Sequence, residues 1–224
     1  MIGEMLSLAL LSFTSIFVIV DPVTLVPIFL AMTQGDSEEK RRAVVKKAVV
    51  VSAGILTVFT FGGTVIFNTL GVTLPAFQIA GGILLLITAL DQLQVESVRT
   101  RTSPDEIAEG AAKPDVAIVP LAMPLLAGPG AIATVMMLNG RAQSHWAIIP
   151  ILAGVLATSF ITYLILRGAS YVDRVLGKTG SAVLERVMGL LLAAIAIQFI
   201  VTGIAQSFPG LIGITTGVPA GAVP

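Results

Sequence analysis

The sequence predicts an all-α integral membrane protein with six transmembrane helices, arranged as two inverted three-helix repeats in which spans 1 and 4 are discontinuous. Three observations predict this class: the composition, the spacing of charge-poor segments, and an internal register that occurs twice. Hydrophobic residues make up 55% of the 224 positions and charged residues 12%, while the mean hydropathy is +0.97. A soluble domain carries about twice that share of charged residues.

Charge-poor segments divide the chain into six candidate spans. An apolar helix of about 20 residues crosses the ~30 Å hydrocarbon core of a bilayer. The first segment is longer than one span needs, which predicts a broken or tilted helix. The six segments are residues 5–34, 48–70, 74–90, 116–138, 146–166 and 187–206.

An internal register indicates a duplicated unit. A shift of 107 positions carries Pro22 onto Pro129 and also carries Gly82 onto Gly189. Each copy contains three spans, an odd number, so the second copy enters the membrane from the opposite side. Inverted repeats of this kind are typical of secondary transporters. The predicted organisation is a first repeat at 1–93, a cytoplasmic linker at 94–115, a second repeat at 116–206 and a flexible external tail at 207–224.

The distribution of basic residues predicts the orientation. Twelve of the thirteen Lys and Arg side chains lie in the first, third and fifth connections between spans, and only Arg141 lies in another connection. Cytoplasmic loops are enriched in Lys and Arg. We therefore expect those three connections in the cytoplasm and both chain termini outside.

The first predicted break lies at Asp21, the only charged side chain in residues 5–34. Asp followed by Pro is typical of a helix start, because the carboxylate accepts from free amides and Pro22 loses no bond there. We expect the helix to stop and restart near mid-membrane. Intramembrane carboxylates are costly and usually functional. The alternative is a Pro-kinked helix in which Asp21 is a structural cap.

The second predicted break lies in span 4, where three prolines fall within ten residues beside Gly128 and Gly130. These residues cannot form one regular helix. The half-helices after Pro22 and Pro129 would both begin at mid-depth, so their free amides and dipoles would converge. We expect an anion at the amides of residues 130–132.

The candidate site follows from these two breaks. If small side chains line this site, they leave room only for a small ligand. The alternative is that the glycines among them serve close packing between helices. Asp91, near the cytoplasmic end of span 3, is expected in a structural, coupling or gating role or, equally, in a direct one. Gln78 is expected to be exposed to water near the outer face. The substrate-binding candidates are Asp21, Pro22, Thr24, Gly128, Pro129, Gly130, Ala131 and Ile132, and the pocket-lining candidates are Gly81, Gly82, Ala122, Ala127, Gly189 and Gln198. Of these, Gln198 is expected to hydrogen-bond across helices.

The composition also narrows the function. The chain has no Cys and one His, so thiolate chemistry is excluded and few metal or acid-base sites remain. We predict no enzyme activity, no cofactor and no metal site. The sequence contains no basic cluster interleaved with aromatic residues, so we predict no nucleic-acid partner. A channel or a proton or cation exchanger that uses Asp21 remains an alternative to a carrier.

Four motifs resemble the MarC family of prokaryotic inner-membrane proteins, within the LysE-like exporter superfamily. They are residues 21–29 (DPVTLVPIF), 77–85 (FQIAGGILL), 120–132 (PLAMPLLAGPGAI) and 186–196 (RVMGLLLAAIA), and the resemblance covers residues 1–206. It implies transport of small neutral amino acids such as glycine or alanine, as in SnatA-type members. A proton or sodium is a separate expectation for the coupling ion, which the sequence does not specify. Members usually carry Gly at the position of Thr24, so the substrate here is expected to differ.

Overall fold

The computed structural model describes residues 2–93, 117–141 and 145–208. Every regular element in these ranges is helical, as predicted. The predicted linker at 94–115 and nearly all of the predicted tail lie outside the described residues. The α-helices are α1 Ile2–Val20, α2 Leu25–Met32, α3 Glu38–Leu70, α4 Leu74–Leu93, α5 Pro129–Arg141, α6 Ile148–Arg167 and α7 Ala169–Ser207, with a wide π-helical segment Ala117–Leu126 before α5 and a 3-10 turn His145–Ala147 before α6.

Within the described residues, five helices are long and apolar enough to cross a membrane. A sixth crossing results if the π-helical segment and α5, which are bent by 52° relative to each other, form one span. The five long crossings are Gly3–Val20 in α1, Glu38–Gly63 in α3, Leu74–Leu93 in α4, Ile148–Arg167 in α6 and Thr179–Ser207 in α7.

Two helices begin well before the charge-poor segments that predicted them. α3 begins at Glu38 because Ser37 accepts a hydrogen bond from the Lys40 amide through its Oγ at 3.3 Å, which caps the helix. Its basic first turns remain helical although they are polar. α7 begins at Ala169 and passes a break at Gly177, where φ is +60° and ψ is 177°. Only glycine adopts that conformation readily.

α4 and α7 form an antiparallel pair that glycines bring close together. A Cβ at Gly82 would lie 2.8 Å from the Ala196 carbonyl oxygen, and a Cβ at Gly189 would lie 3.1 Å from the Ala89 carbonyl oxygen. Both distances are too short for an ordinary side-chain contact. The two contacts are reciprocal, because the register that carries Gly82 onto Gly189 also carries Ala89 onto Ala196.

α5 and α2 connect this pair to the remaining helices. α1 and α3 both contact α6, α3 contacts the π-helical segment, and α5 contacts both α3 and α4. A hydrogen bond from Asn139 Nδ2 to the Thr60 carbonyl, 2.9 Å long, links α5 to α3. The fully buried core between these helices includes Ile16, Leu121 and Ile151.

Candidate functional site

Asp21 ends α1 and does not begin the next helix. Its amide donates to the Phe17 carbonyl at 2.9 Å, which continues the α1 pattern, and its φ is +48°. Asp tolerates this left-handed conformation better than most residues. A turn follows, and α2 begins at Leu25, with Thr24 before it making no side-chain cap. The prediction that Asp21 caps the restarted helix is therefore wrong, although the chain does break at this residue.

The position of the break along the span also differs from the prediction. α1 has 19 residues, which corresponds to about 28 Å at 1.5 Å per residue. That length is close to the ~30 Å of the hydrocarbon core. Asp21 therefore follows a helix long enough to cross by itself, instead of interrupting one at its middle.

The Asp21 side chain is buried and bonded to α4. It is 1% exposed, and its Oδ2 accepts a hydrogen bond from Gln92 Nε2 at 3.0 Å. Its Oδ1 and the Gln92 Oε1 are both buried, and neither has a hydrogen-bond partner among the described residues. The described residues include no Lys or Arg paired with Asp21; the ion pairs seen there join Lys40 to Asp36 and Arg42 to Glu38.

A second carboxylate approaches this site from α7. The backbone of Gly189 packs against Gln92, so closely that a Cβ on the glycine would lie 2.9 Å from the Gln92 Cβ. Glu185 lies one helical turn before Gly189 and is partly buried. Asp91 is partly buried beside Gln92, and its Oδ2 also lacks a hydrogen-bond partner in the part of the chain that the structure describes.

The second break lies in the π-helical segment and at the start of α5. Val119 (φ −126°, ψ 121°) and Met123 (φ −141°, ψ 121°) interrupt the segment with extended backbone, each immediately before a proline. The following helix begins at Pro129, the position of the predicted restart. This irregular backbone is buried in protein at Ala122 and Ala127, both 0% exposed.

Within the described ranges, two amides at the start of α5 have no hydrogen-bond acceptor. The Ile132 amide donates to the Gly128 carbonyl at 3.0 Å, so the prediction that it would face an anion is wrong. Pro129 has no amide hydrogen, and the amides of Gly130 and Ala131 have no acceptor within the helix, because the first turn lacks a preceding one. The positive end of the α5 dipole lies at these two amides.

These amides adjoin a cavity of about 320 Å³ between α4, the end of α1 and the start of α5. Among the described residues, none that lines it carries a charge. Leu84 and Ile87, about half exposed, form its outer edge. The lining residues are Ile19, Leu84, Leu85, Ile87, Thr88, Pro124, Leu125, Leu126, Gly128, Pro129, Gly130 and Ala131.

Half of the predicted substrate-binding residues line this cavity, namely residues 128–131. Pro22 and Thr24 are buried in the turn after Asp21, outside the cavity wall. The Thr24 hydroxyl has no hydrogen-bond partner among the residues that the structure describes, and its φ of −66° is ordinary for any residue. The backbone therefore requires no glycine at this position.

The predicted pocket-lining residues lie elsewhere. Gly81 packs against Ala133 of α5, where an added Cβ would be 3.4 Å from the alanine Cβ. Gly82 and Gly189 lie in the α4–α7 contact, and Ala122 and Ala127 are enclosed in the core. Gln198 is exposed, and its amide donates to Thr202 Oγ1 of its own helix at 3.0 Å, so the predicted bond across helices is absent. At these positions glycine allows neighbouring helices to approach closely. This is the alternative reason for the glycines that the sequence analysis gave.

Comparison with known proteins identifies the family. Residues 6–208 match the family model described as MarC family integral membrane protein. The chain belongs to the MarC family. A UPF0056 membrane protein of Methanocaldococcus jannaschii is 39% identical over 196 residues, covering 87% of this chain and 95% of the relative. Another from Aquifex aeolicus is 36% identical over 193 residues, covering 86% and 90%.

The UPF0056 membrane protein YhcE of Escherichia coli is 34% identical over 200 residues, covering 89% of the MarC-family chain and 93% of the relative. No solved structure matches the chain. The family match and the apolar helices together establish an integral multi-pass membrane protein. The resemblance expected from the four motifs is thereby confirmed.

The two polar features of this MarC-family protein contact α4 at different heights. Leu85 contacts Gly130, where an added Cβ would lie 2.6 Å from the leucine Cδ2, and Gln92 contacts Asp21. Seven residues of helix correspond to about 10 Å along the axis. That spacing exceeds the few ångströms between the ammonium and carboxylate of one α-amino acid.

Proposed function

We propose that this MarC-family protein is a secondary transporter of small neutral amino acids that works by alternating access and is coupled to an ion. The observation that carries the proposal is the start of α5, which presents two free amides at an uncharged cavity. We place the protein in the prokaryotic cytoplasmic (inner) membrane, which its prokaryotic relatives support. The Lys and Arg distribution supports both termini outside.

The substrate's carboxylate would bind the amides of Gly130 and Ala131. A hydrogen bond to a charged group contributes roughly 1.5–3 kcal/mol, and the helix dipole adds to it. The apolar wall, including Leu125 and Leu126, suits a short aliphatic side chain and offers no partner for a charged one. A neutral amino acid fits this chemistry better than an acidic or basic one.

Asp21 would then serve the coupling ion and not the substrate's ammonium group. Leu85, which contacts Gly130, and Gln92, which contacts Asp21, are about 10 Å apart along α4. This spacing favours separate sites for the substrate and the ion. Thr88 lines the cavity between those two residues. Its hydroxyl oxygen can accept a hydrogen bond from a bound substrate. Asp91 keeps its expected role in coupling or gating, because its Oδ2 is buried without a partner.

The inverted-repeat arrangement belongs to the same proposal. The reciprocal contacts of Gly82 with Ala196 and of Gly189 with Ala89 support it, because a two-fold axis generates each contact twice. The axis would lie in the membrane plane, since α4 and α7 are antiparallel. Alternating access in such folds involves rocking of one repeat against the other.

A proton or cation exchanger is the second candidate. The separation of Asp21 from the cavity favours it, because an ion site that does not touch the cavity can operate without an organic substrate. Counterflow of labelled alanine into liposomes loaded with unlabelled alanine distinguishes the two. A carrier accumulates label transiently, whereas a cation exchanger gives no alanine signal.

Variants of Ala131 test the carboxylate site. Ala131→Pro removes one amide donor in the first turn, where proline is tolerated, and should weaken alanine binding at least tenfold, which corresponds to about 1.4 kcal/mol. Ala131→Gly keeps the amide and is the matched control. Gly130 is a poorer test position, because any side chain there collides with Leu85.

Alaninamide supplies the complementary test with the unmodified protein. It keeps the ammonium group and lacks the carboxylate, so it should compete poorly with labelled alanine. Equal competition by alaninamide and alanine would overturn the assignment of the amides as the carboxylate site.

A further inference from the structure

We propose that a cleft between the start of α3 and the end of α6 binds the phosphate of an anionic phospholipid headgroup. Arg41, Arg42 and Arg167 line this cleft and supply the hydrogen-bond donors. The cleft shares no lining residue with the cavity at the start of α5, so lipid binding there does not depend on the proposed transport function.

The cleft lies where two membrane-spanning helices end. The candidate span in α3 begins at Glu38, and the span in α6 ends at Arg167. Residues at both of these ends line the cleft, together with Ser170 in the first turn of α7. Headgroup phosphates lie just outside the ~30 Å hydrocarbon core of a bilayer. The cleft is therefore at the depth where a spanning protein meets the headgroups.

The lining of the cleft carries an excess of positive charge. It contains three arginines and one carboxylate, that of Glu38. Glu38 pairs with Arg42 at 3.1 Å, but their side chains are 80% and 56% exposed, and an exposed pair of this kind contributes little. Within the described residues, neither Arg41 nor Arg167 is paired with a carboxylate. Their charges are available to an anion.

Two of the arginines are held in place by uncharged groups. Arg41 is partly buried, and its Nε and Nη2 both donate to the Thr33 carbonyl at 3.1 Å. A guanidinium has five N–H donors in a planar fork that suits phosphate oxygens, so three of them remain for a ligand. The Arg167 guanidinium carbon lies 5.9 Å from the centre of the Tyr163 ring. Groups that are already ordered lose less entropy when a ligand binds.

The size of the cleft favours a lipid over a soluble phosphate compound. Its volume of about 30 Å³ holds one or two groups the size of a water molecule. Its floor is apolar, with Phe29, Val45 and Leu166 each 1% exposed. Phosphate oxygens can enter such a shallow cleft, whereas the rest of the ligand stays outside it.

One face of α6 offers apolar surface for the acyl chains of that lipid. Arg167, Leu164, Phe160 and Leu156 recur at a spacing of three or four residues, which places them on one face of the helix. The three apolar side chains are 48%, 62% and 61% exposed. A lipid whose phosphate binds Arg167 can lay its chains along this face, which inorganic phosphate cannot use.

The cleft also joins two separate parts of the chain. Arg41 and Arg42 belong to the proposed first repeat, and Arg167 belongs to the second. A phosphate bound by both sides holds the turn between α2 and α3 against the turn between α6 and α7. Anionic lipid should therefore stabilise the protein against unfolding.

Native mass spectrometry of the full chain in a maltoside detergent tests the site. The two probes are dioleoyl phosphatidylglycerol, which is anionic, and dioleoyl phosphatidylcholine, which has the same phosphate but no net charge. Each basic side chain near a membrane surface strengthens the binding of anionic lipid by roughly fivefold. The wild type should therefore bind phosphatidylglycerol at least about fivefold more tightly than phosphatidylcholine.

Two double variants of equal charge separate the cleft from general attraction. Arg42→Gln with Arg167→Gln should weaken the binding of phosphatidylglycerol by about 25-fold; both side chains are exposed, so the core is not disturbed. Arg174→Gln with Arg186→Gln removes the same charge from exposed positions outside the cleft and should leave the affinity nearly unchanged. Equal losses in the two double variants would show general charge attraction and overturn the site.

Inorganic phosphate distinguishes the two sources of the phosphate group. Millimolar phosphate, compared with chloride at the same ionic strength, should not displace phosphatidylglycerol. Displacement would assign the cleft to a soluble phosphate and overturn the lipid assignment.

Thermal unfolding in the same detergent gives an independent measurement. Phosphatidylglycerol should raise Tm of the wild type and of the Arg174→Gln, Arg186→Gln variant by more than that of the Arg42→Gln, Arg167→Gln variant, because a ligand stabilises the state that binds it. An equal rise of Tm in all three proteins would overturn the proposal.

Discussion

Gly82→Ala tests the closest approach of α4 and α7. The added Cβ would lie 2.7 Å from Ile200 Cγ1 and 2.8 Å from the Ala196 carbonyl oxygen. The isoleucine side chain can rotate, but the carbonyl belongs to the backbone of α7, so the helices must move apart. Overpacking of this kind costs about 1–3 kcal/mol.

Gly54→Ala is the matched control. Gly54 is exposed in the middle of α3, and a Cβ there meets nothing within 4 Å. Alanine is favoured over glycine in a helix by roughly 0.5–1 kcal/mol, and the same gain applies at Gly82. We therefore expect Gly54→Ala to stabilise slightly and Gly82→Ala to be less stable than the control by about 1–3 kcal/mol.

Thermal unfolding in one detergent measures the difference. A change of 1 kcal/mol shifts Tm by about 2–4 °C in a chain of this length, so the two variants should differ by at least about 2 °C. Gly189→Ala should behave like Gly82→Ala, because its Cβ would lie 2.9 Å from the Gln92 Cβ and 3.1 Å from the Ala89 carbonyl oxygen. If Gly82→Ala unfolds at or above the temperature of Gly54→Ala, the described α4–α7 contact is wrong.

Three further predictions concern orientation and buried polar groups. Because the chain has no native Cys, single cysteines at Ser37 and Ser207 should react with impermeant thiol reagents from opposite sides of the membrane; labelling from one side contradicts the topology. Gln78→Met should raise the free energy of unfolding by about 1–3 kcal/mol, since both amide atoms of Gln78 are buried without partners, and a lower Tm would reveal a partner. Asn139→Ala should lower it by about 0.5–1.5 kcal/mol through loss of the bond to the Thr60 carbonyl, and an unchanged unfolding curve would show that bond to be unimportant.

Hydropathy and charge predicted the membrane class and the approximate spans, because the bilayer imposes a length and a polarity on every crossing segment. The same criteria placed the start of α3 ten residues late, since charge does not end a helix that Ser37 caps. They also predicted that the Gln78 side chain is exposed to water, whereas it is 1% exposed in the structure. Hydropathy reports the character of a segment and not which face of it packs inward.

The candidate site was only partly predictable. The breaks at Asp21 and Pro129 follow from local chemistry, because proline and glycine limit the backbone wherever they occur. Gln92 was missed because its hydrogen bond to Asp21 depends on tertiary packing, and the two residues are 71 positions apart in sequence. A useful signal was present in α4, where Gln78, Gly82, Leu85, Ala89 and Gln92 recur at helical spacing on one face.

The reciprocal glycine contact bears on how such a chain could arise. If the proposed repeat is correct, two separate half-length chains inserted in opposite orientations would make the α4–α7 contact between subunits, once in each direction. Fusion into one gene fixes the ratio of the two orientations at one to one. It also frees the halves to diverge, so that matched positions now hold an acid, Asp21, in one half and a side-chain-free residue, Gly128, in the other.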